Sequence, residues 1–140
     1  MSIQIVMMLP PKAASVSLAR HTMAEALRIP GVAPDCSHEA QVALSEACSN
    51  FLRHVEAEQN FEVLMNIGDV ELTVHILDGD APGKRLLAEW PDIQVDREHG
   101  LALMTAFADH ASFESEAGGG SIRLKKRLRW SSDAALPSSG

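Results

Sequence analysis

Apolar residues alternate with polar residues in two neighbouring segments, which is the pattern of β-strands with one buried face. The segments are Phe61–Ile67 and Val70–Leu77, and only Gly68-Asp69 lies between them. A two-residue turn containing glycine joins antiparallel strands, so the pattern predicts a β-hairpin. In its second strand the residues expected to face the core are Val70, Leu72, Val74 and Ile76.

Three further segments predict strands on both sides of this hairpin. Ser2–Leu9 is apolar and ends at Pro10-Pro11, and the pair Ala111–Glu116 and Ser121–Arg129 flanks a run of glycines. These segments read as a first strand and a second hairpin.

Helical periodicity occurs in three other segments. The first is Ala13–Leu27, which Pro30-Gly31 stops; the second begins near Asp35 or Ser37, either of which can cap it, and continues to about Ala57. The third is Leu101–Asp109. The order β-α-α-β-β-loop-α-β-β predicts an α/β chain of the α+β kind. We expect a two-layer sandwich in which helices cover one face of a mostly antiparallel sheet. Residues 1–130 form the expected domain, and 131–140 read as a disordered tail.

Composition narrows the function classes. The chain has 140 residues and a net charge of -7, which disfavours direct nucleic-acid binding. Its two cysteines, Cys36 and Cys48, lack metal-ligand spacing and suit a reducing compartment, and Cys48 belongs to a core stripe. The N-terminus has no basic region typical of a signal peptide, and no apolar run approaches the ~18 residues that span a bilayer. We therefore expect a cytoplasmic protein without membrane contact.

Three polar residues recur at intervals of four along the second predicted helix. Glu46, Asn50 and His54 therefore share one helical face. A carboxylate, an amide and an imidazole in this arrangement suit magnesium binding and phosphoryl transfer. A solvated helix face gives the same pattern, and the residues alone leave both interpretations open.

Four motifs in order resemble those of the GHKL ATPase superfamily, and within it the bacterial anti-sigma-factor serine kinases of partner-switching systems. Leu44–His54 resembles the N-box, and Ile76-Leu77-Asp78 with the following loop resembles the first glycine box. Gly100–Leu103 resembles the second glycine box, and Gly119–Leu124 resembles the last strand's Gly-Thr segment, with Ser121 for threonine. The likeness covers residues 13–128.

The resemblance implies a Bergerat-type fold that binds ATP and magnesium. Asn50 would hold the magnesium ion, Glu46 would be the general base toward a substrate serine, and Asp78 would accept a hydrogen bond from the adenine amino group. Gly100 and Leu101 would offer backbone amides to phosphate oxygens, Gly83 would substitute for a glycine of the first box if the loop shifts by one residue, and Ser121 would line the adenine pocket. The partners it implies are a sigma factor, an anti-sigma factor antagonist of the STAS type, and a second copy in a homodimer.

Two alternatives stay open for individual residues in this set. Asp78 also suits an ordinary turn after a strand, and Gly100 also suits a plain helix start.

The glycine boxes depart from the family pattern at three positions. Asp80 and Pro82 stand where glycines are expected in the first box, and Glu98 stands for a glycine in the second. These residues lack the conformational freedom of glycine, and two of them add negative charge near a polyphosphate. The departures favour a second hypothesis, a catalytically degenerate module that regulates by protein binding without phosphoryl transfer.

A basic run closes the predicted domain. Alternation along the last strand places one set of its cations on a common face, namely Arg123, Lys125, Arg127 and Arg129. A solvated face explains such a run, and so does a site for an anionic partner or a polyphosphate.

Overall fold

The computed structural model describes residues 1–53, 60–78, 108–116 and 119–131. Two helices and five strands lie in this part of the chain. They are β1 (Ile3–Leu9), α1 (Ala13–Arg28), α2 (Pro34–Leu52), β2 (Phe61–Ile67), β3 (Glu71–Asp78), β4 (His110–Glu116) and β5 (Gly119–Arg127). The predicted third helix lies almost wholly outside the described residues, as does the predicted tail beyond Ser131.

The five strands form one sheet in the order β1-β2-β3-β5-β4. Every neighbouring pair in it is antiparallel, which confirms the predicted sheet type. β1 and β4 are the two edges, and β5 is enclosed between β3 and β4.

The hairpin between β2 and β3 turns one residue later than the sequence predicts. Ile67 pairs with Leu72, and the Gly68 N–H donates to the Glu71 carbonyl oxygen at 3.0 Å. The tip is therefore Asp69-Val70 rather than Gly68-Asp69, and Val70 is 56% exposed instead of facing the core. The Met1 ammonium group donates to Asp69 Oδ1 at 3.0 Å, an end-to-turn contact that the local pattern does not contain.

The ends of α1 follow from the residues that surround it. Ser15 Oγ donates to the Pro10 carbonyl oxygen at 2.6 Å and ties the first turn to the end of β1. At the other end, Gly31 has a φ of 100°, a left-handed conformation that glycine adopts without strain. The Gly31 N–H donates to the Arg28 carbonyl oxygen and closes the last turn. The predicted stop at Pro30-Gly31 is confirmed.

α2 begins before either predicted cap and ends before Ala57. Ala33 is the N-cap residue and makes no side-chain cap, and Pro34 occupies the first turn, where its missing N–H costs nothing. Asp35 instead accepts from the Cys36 N–H at 2.8 Å. The helix ends at Leu52, where the Arg53 N–H shares the carbonyl oxygens of Ser49 and Asn50.

The core lies between one face of the sheet and the paired helices. α1 packs on β1 and β2, and α2 packs on β3 and β5. The largest fully buried side chains are Phe51, Phe61, Met23, Leu27, Leu44, Met65, Ile67, Ile76, Ile122 and Val63. Helices on one face of the sheet confirm the predicted two-layer sandwich. Neither described helix is long and apolar enough to cross a membrane.

Both cysteines belong to this core. Cys36 and Cys48 are free thiols with no exposed surface. Burial raises the pKa of the Cys48 thiol to about 12, so it stays protonated. Cys36 Sγ lies 3.4 Å from the Arg129 N–H, which donates to it. A structural role for the two residues agrees with these positions.

An ion pair between a buried lysine and a partly exposed glutamate joins the start of α2 to the end of β5. Lys126 is 5% exposed on the helix-facing side of β5, and its Nζ donates to Glu39 Oε1 at 2.8 Å. Arg129 reaches the same carboxylate at 3.0 Å. The predicted common face therefore holds Arg123, Lys125 and Arg127 but not Arg129, because β5 ends at Arg127 and the alternation ends with it.

Replacing Glu39 by glutamine is expected to lower the free energy of unfolding by about 1–3 kcal/mol, because Lys126 keeps its charge in the core with a weaker acceptor. The Lys126 hydrogen bond, and then that of Arg129, holds the pKa of the Glu39 carboxyl below its ordinary value of 4.5. The stabilisation is therefore complete above about pH 4.5 and is lost as the pH falls through the lower pKa of the folded state.

Urea unfolding of the parent and the Glu39→Gln variant between pH 7 and pH 3 checks both statements. The two curves are expected to converge on acidification. Glu25→Gln is the matched control. The ion pair of Glu25 with Arg28 is exposed on α1, so its loss should not measurably change the free energy of unfolding. An equal effect of both substitutions, or a gap that persists at low pH, would contradict the assignment.

Candidate functional site

The polar residues of α2 differ sharply in their exposure. Asn50 has no exposed surface, whereas the side chain of Glu46, one turn earlier, is 26% exposed. Ala43 and Ala47, on the neighbouring positions, are buried as well. For Asn50 the interpretation as a solvated helix face is therefore wrong. On one side of α2, the buried amide of Asn50 therefore lies one turn from the partly exposed carboxylate of Glu46.

Packing brings this part of α2 to one end of the sheet. The rings of Phe51 and Phe61 lie with their centroids 6.0 Å apart, so the last turn of α2 rests on the first residue of β2. The register of the sheet places Asp78 opposite Phe61. It also places Ser121 opposite Leu77, one position away. Backbone register and helix packing thus gather the ends of α2 and β3 and the first half of β5.

The remaining predicted site residues lie outside the described part of the chain. These are His54, Gly83, Gly100 and Leu101, together with the departures Asp80, Pro82 and Glu98. Asp78 and Ser121 are placed by their backbone positions.

Arg53 belongs to the same region of α2, although none of the sequence motifs points to it. It follows Glu46 by two helical turns. Its Nη2 lies 3.9 Å from Glu46 Oε2, and its side chain is 48% exposed. The interval of seven residues was the available signal, because residues seven apart share a helical face. A guanidinium here offsets the negative charge of Glu46, which favours the approach of a polyanion to this end of α2.

A concavity of about 340 Å³ opens beside Glu46 on the outer surface of the helix layer. Its lining comes from α1 and α2 and comprises Arg20, His38, Gln41, Val42, Ser45, Glu46 and Ser49. The Glu46 carboxylate is therefore reachable by a second molecule, while Asn50, on the same helix, has no exposed surface.

The donor set suits magnesium better than a transition metal. Asn50 and Glu46 offer amide and carboxylate oxygens, the hard donors that magnesium takes while keeping several waters. No cluster of three or more His, Cys, Asp and Glu side chains fit for metal binding occurs among the residues that the structure describes. A site with one or two protein oxygens completed by phosphate and water is compatible with these residues.

The fold and this arrangement define an ATPase domain of a known class. A model of the histidine kinase-like ATPase domain matches residues 9–126, which is most of the chain. The chain therefore belongs to the histidine kinase-like ATPase domain family, as its motifs predict.

Sequence relatives in this family are bacterial protein kinases. The chain is 34% identical over 77 residues to the serine-protein kinase RsbW of Bacillus thuringiensis (strain Al Hakam), a match that covers 55% of this chain and 48% of the relative. The same values hold for the serine-protein kinase RsbW of Bacillus anthracis (strain CDC 684 / NRRL 3495). The matched stretch thus spans about half the length of these curated relatives.

A solved structure shows the same fold. The crystal structure of the RsbU and RsbW domains of a Mycobacterium tuberculosis protein superposes with a TM-score of 0.65 at 19% identity. The superposition covers 90% of this chain and 32% of that one. At this identity the likeness establishes the fold, and the chemistry has to be argued from the residues.

Proposed function

We propose that the protein is an ATP-dependent serine-protein kinase that also acts as an anti-sigma regulatory factor. In this proposal it binds a sigma factor, and it phosphorylates a serine of an anti-sigma factor antagonist of the STAS type. The kinase relatives support the reaction class. The two partners rest on the motif resemblance.

The observation that carries the proposal is the gathering of the N-box with the end of β3. Asn50 is buried in α2 and Glu46 reaches solvent from the previous turn. The Phe51–Phe61 contact joins the last turn of α2 to the strand position opposite Asp78, which supports a shared site. Phosphoryl transfer depends mainly on positioning and charge neutralisation, and this arrangement supplies groups for both.

Each described residue has one role in the proposed reaction. Magnesium, held by the Asn50 amide oxygen, would neutralise charge on the ATP phosphates. Asp78 would recognise the adenine amino group. Glu46 would accept the serine hydroxyl proton as the serine oxygen bonds to the γ-phosphorus and the bond to the ADP oxygen breaks. Gly83, Gly100, Leu101 and Ser121 would complete the phosphate and adenine contacts.

Calorimetric titration with ATP, with and without magnesium, is the first test of this function. We expect saturable micromolar binding that requires the metal. Incubation with a purified STAS-type antagonist should then give one phosphoserine by mass spectrometry.

Light scattering on the same sample tests the proposed homodimer, and fractionation of the native host tests the proposed cytoplasmic location.

The degenerate binding module is the second candidate, favoured by Asp80, Pro82 and Glu98 in the glycine boxes. An absence of binding up to millimolar ATP, with the antagonist or sigma factor still bound, would select it. Metal-dependent ATP binding without phosphoserine would also select the module and would limit the degeneracy to the transfer step.

A further inference from the structure

The sheet has a second face that neither described helix covers. Its side chains are the alternate residues of each strand, and a concavity of about 560 Å³ lies over its centre. The side chains of this lining include Gln4, Val6, Leu64, Asn66, Thr73, His75, His110, Arg123 and Lys125. None of these residues belongs to the proposed nucleotide site, so the open face needs its own explanation.

Positive charge is concentrated on one half of this face. Arg123, Lys125 and Arg127 are exposed at alternate positions of β5, about 7 Å apart along the strand. The register adds an imidazole on each side, since His75 pairs with Arg123 and His110 pairs with Lys125. Three of the chain's 12 lysines and arginines thus share one strand of a protein with net charge -7.

The pattern is not explained by protection of a sheet edge. Lysines on edge strands block unwanted strand pairing, but β5 has a neighbour on both sides. Like charges placed close together in a sheet cost stability. In the part of the chain that the structure describes, Lys125 and Arg127 form no ion pair that would offset this cost. Two acids lie near these cations. Glu71 pairs with Arg127, and the Asp109 carboxylate accepts from the Arg127 N–H, while Lys125 lies between Thr73 and His110.

The other half of the face carries exposed apolar side chains among the polar residues Gln4, Asn66 and Glu62. Val6 is 64% exposed and Met8 is 49% exposed, both on β1, and Leu64 lies beside Val6 on β2. Leu64 on β2 lies two strand spacings, about 10 Å, from the cations of β5, and Val6 and Met8 on β1 lie three spacings, about 14 Å, from them. An α-helix with its side chains is about 10–12 Å wide and can lie across this distance.

We propose that this open face binds an acidic amphipathic helix of a protein partner. The helix lies along the strands, with carboxylates toward Lys125, Arg127 and His110 and apolar side chains toward Val6 and Leu64. A second copy of the chain centred here would bring the β5 cations of both copies together, and the charge pattern therefore favours an acidic partner over self-association.

A labelled synthetic helix of about 15 residues, matched to the length of the strands, tests the proposal. Glutamates occupy one flank and leucines the other, and a second peptide carries glutamine at every glutamate position. We expect the glutamate peptide to bind with micromolar affinity by fluorescence anisotropy and to weaken as salt rises. The glutamine peptide should bind at least about tenfold more weakly.

Lys125→Glu should weaken the glutamate peptide about tenfold or more, whereas Arg28→Glu should change its affinity less than twofold. The two substitutions alter the net charge equally, and Arg28 is exposed on α1 in the other layer. Val6→Asp tests the apolar half and should also weaken binding. Thermal unfolding verifies that each exposed substitution leaves the fold intact.

Four results would overturn the proposal, the last of them a change in mass. One is equal binding of the glutamate and glutamine peptides, and another is equal sensitivity to Lys125→Glu and Arg28→Glu. The third is a DNA or RNA duplex that binds more tightly than the peptide and is displaced by Lys125→Glu, which would assign the face to nucleic acid. An unchanged mass in solution for Lys125→Glu supports the proposal, and a change would assign the face to contact between copies.

Discussion

Replacing Asn50 by alanine is expected to abolish magnesium-dependent ATP binding, with at least a 100-fold loss of affinity, or about 2.7 kcal/mol. The variant loses the buried amide oxygen that is proposed to hold the metal. The measurement is the calorimetric titration with ATP and magnesium, repeated on the variant.

Burial of Asn50 requires a stability control. The side chain has no exposed surface, so its truncation leaves a cavity that costs about 1–3 kcal/mol of folding free energy. Leu44→Ala removes a buried side chain of similar size from the same helix, and its cost is about 2–5 kcal/mol. We expect this control to be less stable than the parent and yet to bind ATP with parental affinity.

A second variant separates volume from chemistry at the same position. Asn50→Leu leaves no cavity, because leucine has the same branching and a larger volume, and it removes the oxygen, so it should lose binding as completely as Asn50→Ala. Parental affinity in either Asn50 variant, or an equal loss in Leu44→Ala, would remove the metal role from Asn50.

Glu46→Gln is expected to keep ATP binding within about threefold and to slow serine phosphorylation by about 10²–10⁴-fold. Glutamine has the shape of glutamate and cannot take up the hydroxyl proton. The 26% exposure of Glu46 and its place beside the outer concavity allow a substrate serine to reach it without rearrangement of the core. Rates are measured as phosphoserine formed on a purified STAS-type antagonist at saturating ATP.

Glu25→Gln is the matched control for this substitution. It removes the same charge from an exposed ion pair on α1, and the transfer rate should not change. Arg53→Gln tests whether the Arg53 guanidinium, which lies 3.9 Å from Glu46, influences the rate of phosphorylation. If Glu46→Gln and Glu25→Gln phosphorylate the antagonist at the same rate, Glu46 is not the general base, while the nucleotide site itself stands.

Local sequence patterns predict much of this molecule. The period of two in Phe61–Ile67 and the period near 3.6 in Ala13–Leu27 depend only on neighbours within one turn or one strand. The predicted segments match β2 as a whole and α1 to within a residue at its end. The spacing of Glu46 and Asn50 on one helical face follows from the same geometry.

Other features are set by groups distant in the sequence. The hairpin tip is Asp69-Val70 because the ladder joins Ile67 to Leu72 rather than to Val70. The pairing differs from the expected one by two residues, so Leu72, Val74 and Ile76 still face the core and only Val70 moves to an exposed position. The exposure of Asn50 could not be read from the helix alone, because burial depends on which elements cover that side. In the sequence Lys126 is one member of a basic run. In the structure it is buried and donates to Glu39, which lies 87 residues away in the chain.

The sequence by itself therefore determined the kind and order of the described elements and the family to which the chain belongs, because these follow from short-range periodicity and motif spacing. Only the tertiary structure decided which residues meet. The order β1-β2-β3-β5-β4 places Asp78 near Ser121, the Phe51–Phe61 contact brings α2 to that end, and the uncovered face collects the cations of β5. Such contacts depend on strand pairing and helix packing between distant segments, which no local pattern specifies.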